Sequence, residues 1–195
     1  SSGSGDVLLS TGNAGSATSG SLKLTTGASE MSSAGDVEVT IGTAGSRAGS
    51  LVIQGGNSSS VGASEKHGGG NVSLLAGSGA VGGNISIHGG EAGANTGGAV
   101  FMTSGASNQT VSGQILVSSS PSLLGSGDVL LETGTSRVGH SGALLLTTGN
   151  SNLASGSITL AGGSSAAGPG AQVAVSAGEA LDGVSSGGGL TVAAG

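Results

Sequence analysis

The chain has 195 residues, of which 44 are glycine, 7% are charged and one, Phe101, is aromatic. This composition excludes a thick globular core, because the large side chains that fill one are missing. A formal net charge of −6 with four Lys and Arg in total excludes a basic nucleic-acid surface, and the absence of cysteine excludes a disulfide-bonded module.

One short unit recurs along the whole chain. It reads Gly, any residue, apolar, any residue, apolar, two further residues and Gly, and it occurs thirteen times at about 15 residues per copy. Such a period is typical of β-helices. The first apolar positions are Val7, Leu22, Val37, Leu51, Val72, Ile85, Val100, Ile115, Val129, Leu144, Ile158, Val173 and Leu190. The second apolar positions are Leu9, Leu24, Val39, Ile53, Leu74, Ile87, Met102, Val117, Leu131, Leu146, Leu160, Val175 and Val192.

Alternation of apolar and polar residues within each unit predicts a short β-strand, as in the segment from Leu22 to Thr25. The residue two beyond the second apolar position is often Thr or Ile, which predicts that it extends an inward row. Glycine precedes and follows most strands, as corners with positive φ or close backbone approach require. Ala or Ser recurs two residues after the closing Gly (Ala14, Ser29, Ala44, Ser107, Ser136, Ser151 and Ala180), which predicts a return wall of small side chains.

A single strand cannot bury its apolar face, so we expect the copies to stack. The sequence therefore predicts an all-β fold, a parallel β-solenoid with one repeat per coil. We expect residues 1–195 to form one continuous array, uncapped at both ends and part of a longer chain or filament. The longest insertion, around Ser58 to His67, predicts a surface loop.

No residue cluster indicates catalysis, and we predict neither an enzyme nor a cofactor. His67, His88 and His140 occupy unrelated repeat positions, which favours solvated surface histidines over a zinc or catalytic site. Asp6 and Asp128 lie in Gly-x-Gly-Asp stretches similar to calcium-binding nonapeptide repeats, but the period differs, and capping of a turn by Asp is the alternative. No apolar run approaches the roughly 20 residues of a membrane helix, so membrane insertion is not expected.

Two sets of residues are candidate interaction sites. The position between the two apolar residues is itself apolar in six copies, which favours lateral contact with a partner or another copy, although scattered surface hydrophobics are an alternative. These residues are Leu8, Val52, Phe101, Leu116, Leu130 and Leu145. Sequons for N-glycosylation occur at Asn57, Asn71, Asn84 and Asn108, and we expect Asn57 and Asn108, in connecting loops, to be the accessible pair.

The units at 19–27 (Ser-Gly-Ser-Leu-Lys-Leu-Thr-Thr-Gly) and 141–149 (Ser-Gly-Ala-Leu-Leu-Leu-Thr-Thr-Gly) carry a family resemblance. Each resembles the Ser/Gly-rich tandem repeats of large secreted surface proteins, including mastigoneme and cell-coat components of algae and protists and bacterial adhesin stalks. The resemblance implies an extracellular or cell-surface location and a structural role, as the shaft of a filament, stalk or coat.

We expect such a shaft to associate end to end or laterally with itself, or to bind other filament or coat proteins, with glycans attached. Two alternatives stay open. One is a solenoid that binds ice or polysaccharide, although the outward positions form no continuous threonine column, and the other is a disordered glycosylated spacer.

Overall fold

The structure is a computed structural model that describes residues 3–59 and 68–194. It groups the chain into two units, Ser1–Phe101 and Met102–Gly195. Neither unit contains a helix or a β-strand among the described residues. The prediction of an all-β parallel solenoid is therefore wrong, and so is the prediction of one repeat per coil.

The solenoid fails because the backbone bonds that would join successive coils are missing from the described residues. Their backbone–backbone hydrogen bonds number six, with donor–acceptor distances of 2.8–3.0 Å. Each joins two residues that lie on either side of one connecting loop, for example Gly105 and Gly113. A stacked ladder instead pairs equivalent strands of neighbouring repeats, about 4.8 Å apart. The hydrogen bonding is thus local to each repeat.

Both units consist of straight runs that alternate with bends. Bends lie at 15–17, 30–32, 45–46, 79–81 and 93–95 in the first unit, and at 108–110, 123–124, 137–139, 152–153, 166–168 and 181–185 in the second. The apolar unit of each repeat lies in the straight run, and the bend lies in the connecting loop. The period of about 15 residues that the sequence shows is therefore the period of one run and one loop.

Side chains alternate in exposure along each run, but no residue is buried among those described. From Leu22 onward the first apolar position keeps 50–61% of its accessible surface, whereas the six apolar residues at the middle position keep 75–89%. The period of two is the one expected for an extended chain. The predicted inward row is thus the less exposed side of each run, without a core behind it.

The loop bases follow a rule set by one residue. We call the residue two beyond the second apolar position the base residue. Where it is Gly, Ala or Ser and a glycine follows it directly, the loop closes with a backbone hydrogen bond, and this holds for Gly55, Ala76, Gly89, Ser104, Gly162 and Ala177. Where it is Thr or Ile, its side chain faces a glycine across the base and no such bond is present, which holds for Thr11, Thr26, Ile41, Thr133 and Thr148.

The physical cause is the width of the base residue. A Cβ built at Gly49 would lie 3.1 Å from Cγ2 of Ile41, and one built at Gly142 would lie 3.6 Å from Cγ2 of Thr133. A β-branched side chain therefore fills the gap that an N–H and a carbonyl must close to bond. The base residues that we expected to extend an inward row instead set the width of each loop base.

One connecting loop has neither form of closure. After Val117 the sequence runs Ser118, Ser119, Ser120, Pro121 and lacks the closing glycine. A Cβ built at Gly125 or Gly127, on the far side of this loop, would meet no atom within 4 Å. The exception is thus visible in the sequence, because the one loop without a closing glycine is also the one without a contact across its base.

Candidate functional site

The connecting loops are the polar sites that the structure repeats, and serine hydroxyls shape several of them. The hydroxyl of Ser136 accepts a hydrogen bond of 3.0 Å from the N–H of Gly139. Ser29 accepts one of 3.1 Å from Ser32, and Ser151 one of 3.1 Å from Leu153. Serine that bonds to backbone two or three residues ahead stabilises a local turn. The predicted return wall is thus wrong for these serines, which hold bends.

Ser107 makes the most extensive contacts of this kind. Its Oγ accepts hydrogen bonds from the N–H of Thr110 at 3.0 Å and of Gln109 at 3.3 Å, and lies 3.0 Å from Oγ1 of Thr110. The loop is closed below by the bond from Gly113 N to Gly105 O, 2.9 Å long. Asn108 follows Ser107 directly, so this candidate glycan acceptor lies in a loop that is held both by the Ser107 hydroxyl and by the backbone hydrogen bond at its base.

Asp182 organises the loop at 178–188. Its Oδ1 accepts hydrogen bonds from the N–H of Ser185 at 2.9 Å and of Val184 at 3.1 Å, and its Oδ2 accepts one from the Ser185 hydroxyl at 2.5 Å. The hydrogen bond from the Ser185 side chain, followed by the backbone bonds from Ser185 and Val184, holds the pKa of the Asp182 carboxyl below its usual value.

Gly183, beside that aspartate, has a φ of 68°, a left-handed conformation that glycine adopts without steric cost. Among the described residues it is the one with a positive φ. The expectation that glycines at many corners need positive φ is therefore wrong. Close approach accounts for a subset of the glycines, such as Gly55, Gly89 and Gly162 at loop bases, where a Cβ would lie within 3 Å of a backbone oxygen.

The six predicted lateral-contact residues, Leu8, Val52, Phe101, Leu116, Leu130 and Leu145, are all exposed. Three of them, Leu116, Leu130 and Leu145, lie in consecutive repeats of the second unit. Each is flanked by an apolar residue on both sides, which makes three apolar triplets at 115–117, 129–131 and 144–146. Lateral contact at these positions stays a prediction.

The four sequon asparagines, Asn57, Asn71, Asn84 and Asn108, are exposed. Asn108 lies at a bend, whereas Asn71 and Asn84 come directly before the first apolar residue of a straight run. The structure thus distinguishes a loop acceptor from two run acceptors, although all four are accessible. Attachment of sugar stays a prediction.

The remaining candidate ligands are dispersed. His88 and His140 are exposed, as are Asp6 and Asp128, and His67 lies outside the described residues. No group of three or more His, Cys, Asp or Glu side chains that could hold a metal is present in the described part of the chain. Nor does that part contain a helix long and apolar enough to cross a membrane.

The repeat pattern by itself does not mark the base residues as the positions that accompany loop closure. A signal was present, because Gly, Ala or Ser at this position accompanies a facing Gly or Ala at the start of the next run, as in Ser104 and Gly113 or Gly162 and Ala171. In each hydrogen-bonded base, at least one of the two facing residues is glycine. That pairing, together with a glycine directly after the base residue, accompanies every hydrogen-bonded loop base.

Comparisons of the chain with protein-family models, with curated proteins and with solved structures find no match.

Proposed function

We propose that this chain is a structural, non-enzymatic repeat segment of an extracellular filament, stalk or surface coat. The observation that supports the proposal is the repetition of one local geometry, a straight apolar run followed by a loop with a fixed base, in eleven of the twelve connecting loops. Repetition of this kind gives length and many equivalent exposed positions, which a filament or coat requires.

The extracellular part of the proposal depends on the four sequons and on the resemblance to secreted Ser/Gly-rich repeats. N-glycosylation takes place in the secretory route, and Asn57 and Asn108 carry exposed acceptors. An occupied sequon on the native protein would therefore establish the route by which it leaves the cell.

Immunogold electron microscopy of intact source cells tests the location, with antibodies raised against the 105–113 loop. We expect gold on filaments or on the surface coat without permeabilisation of the cells. Labelling that needs permeabilisation and lies in the cell interior would contradict the proposal. Mass spectrometry of the native protein before and after glycosidase treatment gives an independent readout at Asn108.

A second candidate is an extended, glycan-bearing spacer that forms no assembly. The observation that favours it is the exposure of every described residue apart from Gly55, Ser104 and Ala180, which are intermediate. Sedimentation of the native protein separates the two functions. A structural segment of a filament or coat sediments as an assembly, whereas a spacer sediments as a single chain.

A further inference from the structure

The apolar runs leave far more surface exposed than a folded monomer does. The accessible surface is 19291 Å² for a mass of 17.6 kDa. A folded monomer of this mass exposes about 7,900 Å² and its unfolded chain about 25,500 Å². The chain by itself thus hides only about a quarter of the surface that an unfolded chain exposes, where folded domains of this size hide about 70%.

The backbone of these runs also lacks partners. Among the described residues the six backbone–backbone hydrogen bonds all lie at loop bases, so the apolar triplets make none. Extended apolar backbone with unpaired N–H and C=O groups is a template for pairing with another chain. The triplets therefore combine apolar side chains with backbone N–H and C=O groups that bond to no other backbone group of the described chain.

We propose that the three triplets, Ile115–Val117, Val129–Leu131 and Leu144–Leu146, pair with the same triplets of a second copy of this chain and become β-strands on association. The inference rests on the proposed function and assigns the surface by which copies assemble. It differs from a solenoid, because the strand partners are two molecules and not successive repeats of one.

Three observations make a second copy the occupant. A partner must present apolar runs at the same spacing of 14 and 15 residues, which a copy does by identity. The segment 114–146 carries three charged residues, Asp128, Glu132 and Arg137, and none of them adjoins the triplets at 115–117 or 144–146, so two of the triplets have uncharged neighbours. No sequon occurs after Asn108, so attached glycans would leave the triplets uncovered.

The area at the triplets is of the size that a stable interface needs. Nine triplet side chains that remain half to four-fifths exposed offer on the order of 500 Å² per copy, at the usual area per apolar side chain. Stable interfaces bury at least about 600 Å² per partner. The side chains thus supply an area of the required order, and pairing of the backbone edges adds further contact.

The test is sedimentation velocity of the purified chain over a concentration series, with infrared spectra of the same samples. We expect reversible association, together with growth of the amide I band of β-sheet. The variant L116S/L130S/L145S introduces the serine that other repeats carry at this position, at Ser73 and Ser86. It should need at least about tenfold more protein to associate, since each lost Leu removes more than 1 kcal/mol of burial.

The matched control is L124S/V138S/L153S, which removes three apolar side chains that are 98–101% exposed in the loops. We expect it to associate as the wild type does. The inference is overturned if the wild type stays monomeric, if the loop variant weakens association equally, or if association brings no β-sheet band. A purified chain that stays monomeric, while the native protein sediments with surface filaments, would overturn this inference alone, whereas an associating chain found inside cells would overturn the proposed function alone.

Discussion

The amide of Gly113 donates a hydrogen bond of 2.9 Å to the carbonyl oxygen of Gly105. Ser104 is the base residue of that loop, and its Cβ lies 3.4 Å from the place of a Cβ on Gly113. At the equivalent position two repeats on, Thr133 faces Gly142 and the bond is missing. In the loops that have a glycine directly after the base residue, the width of the base residue thus separates bonded from unbonded bases.

Exchanging the two types of base residue should exchange the hydrogen bonding. Ser104→Thr should break the bond from Gly113 N to Gly105 O, because the added methyl group widens the base. Thr133→Ala should let Gly142 N bond to Gly134 O. The expected change is about 0.5–1.5 kcal/mol in each loop, and through-bond NMR coupling between amide and carbonyl reports it. Ser104→Ala is the control and should keep its bond, and a coupling that survives Ser104→Thr would contradict the rule.

Adding a methyl group at a loop base whose facing residue is already alanine should also break the backbone hydrogen bond of that base. The 163–171 loop has Ala171 as the facing residue, and a Cβ built at Gly162 would lie 2.8 Å from its carbonyl oxygen and 3.2 Å from its Cβ. Gly162→Ala should therefore abolish the bond from Ala171 N to Gly163 O. Gly163→Ala is the neighbouring control, since a Cβ there meets no atom within 4 Å. Equal effects of the two variants on the Ala171 amide coupling would refute the steric account.

Removing one serine hydroxyl should loosen the bend that carries Asn108. Ser107→Ala deletes the acceptor of the Gln109 and Thr110 amides, at a cost of about 1 kcal/mol in bend stability. We expect the Thr110 amide to exchange with solvent several-fold faster. Ser112→Ala, in the same loop but outside these contacts, should leave the exchange rate unchanged. If Ser112→Ala speeds exchange as much, the Ser107 hydroxyl does not hold the bend.

Acid should weaken the bend that the Asp182 carboxylate holds in the 178–188 loop. Hydrogen bonds from Ser185 and Val184 hold the pKa of Asp182 below its ordinary value of 3.8, so the carboxylate stabilises the bend at all pH values above 3.8. That stabilisation is lost as the pH falls through the lowered pKa. An NMR titration of the Asp182 carboxyl carbon should give a midpoint below 3.8.

The same titration on two variants identifies the cause of the low pKa. Ser185→Ala should move the midpoint upward, since the side-chain hydrogen bond is the largest contribution. Ser186→Ala, one residue further on, should leave it in place. A midpoint that does not respond to Ser185→Ala would show that another interaction sets the pKa of Asp182.

The sequence predicts the repeat, its period and which apolar positions are less exposed, because alternation is a property of each run alone. It does not predict whether runs of different repeats bond to one another. Thr133 between Leu131 and Gly134 satisfies the pattern of an inward row as well as that of a wide loop base. Only the facing Gly142, nine residues on, distinguishes the two.

The loop serines were misassigned for a related reason. Ser136 is small enough for a return wall, but its hydroxyl can also accept a hydrogen bond from a backbone N–H. In the structure the donor is the N–H of Gly139, three residues further along the chain. Such local bonds compete with sheet formation. The repeat pattern does not single out Asp182, although Asp followed by Gly183 is a turn signal that can be found in the sequence.

The most direct test of the account is disulfide cross-linking across a loop base, which the absence of native cysteine makes unambiguous. The Cβ of Thr133 lies 3.7 Å from the position of a Cβ on Gly142, and disulfides need about 3.8 Å. The variant T133C/G142C should therefore form an intramolecular disulfide in high yield under mild oxidation. V129C/V138C, with the same separation of nine residues but one cysteine at the bend, should remain largely reduced. Equal yields from the two pairs would show that the loop is not closed at its base, and would contradict the account.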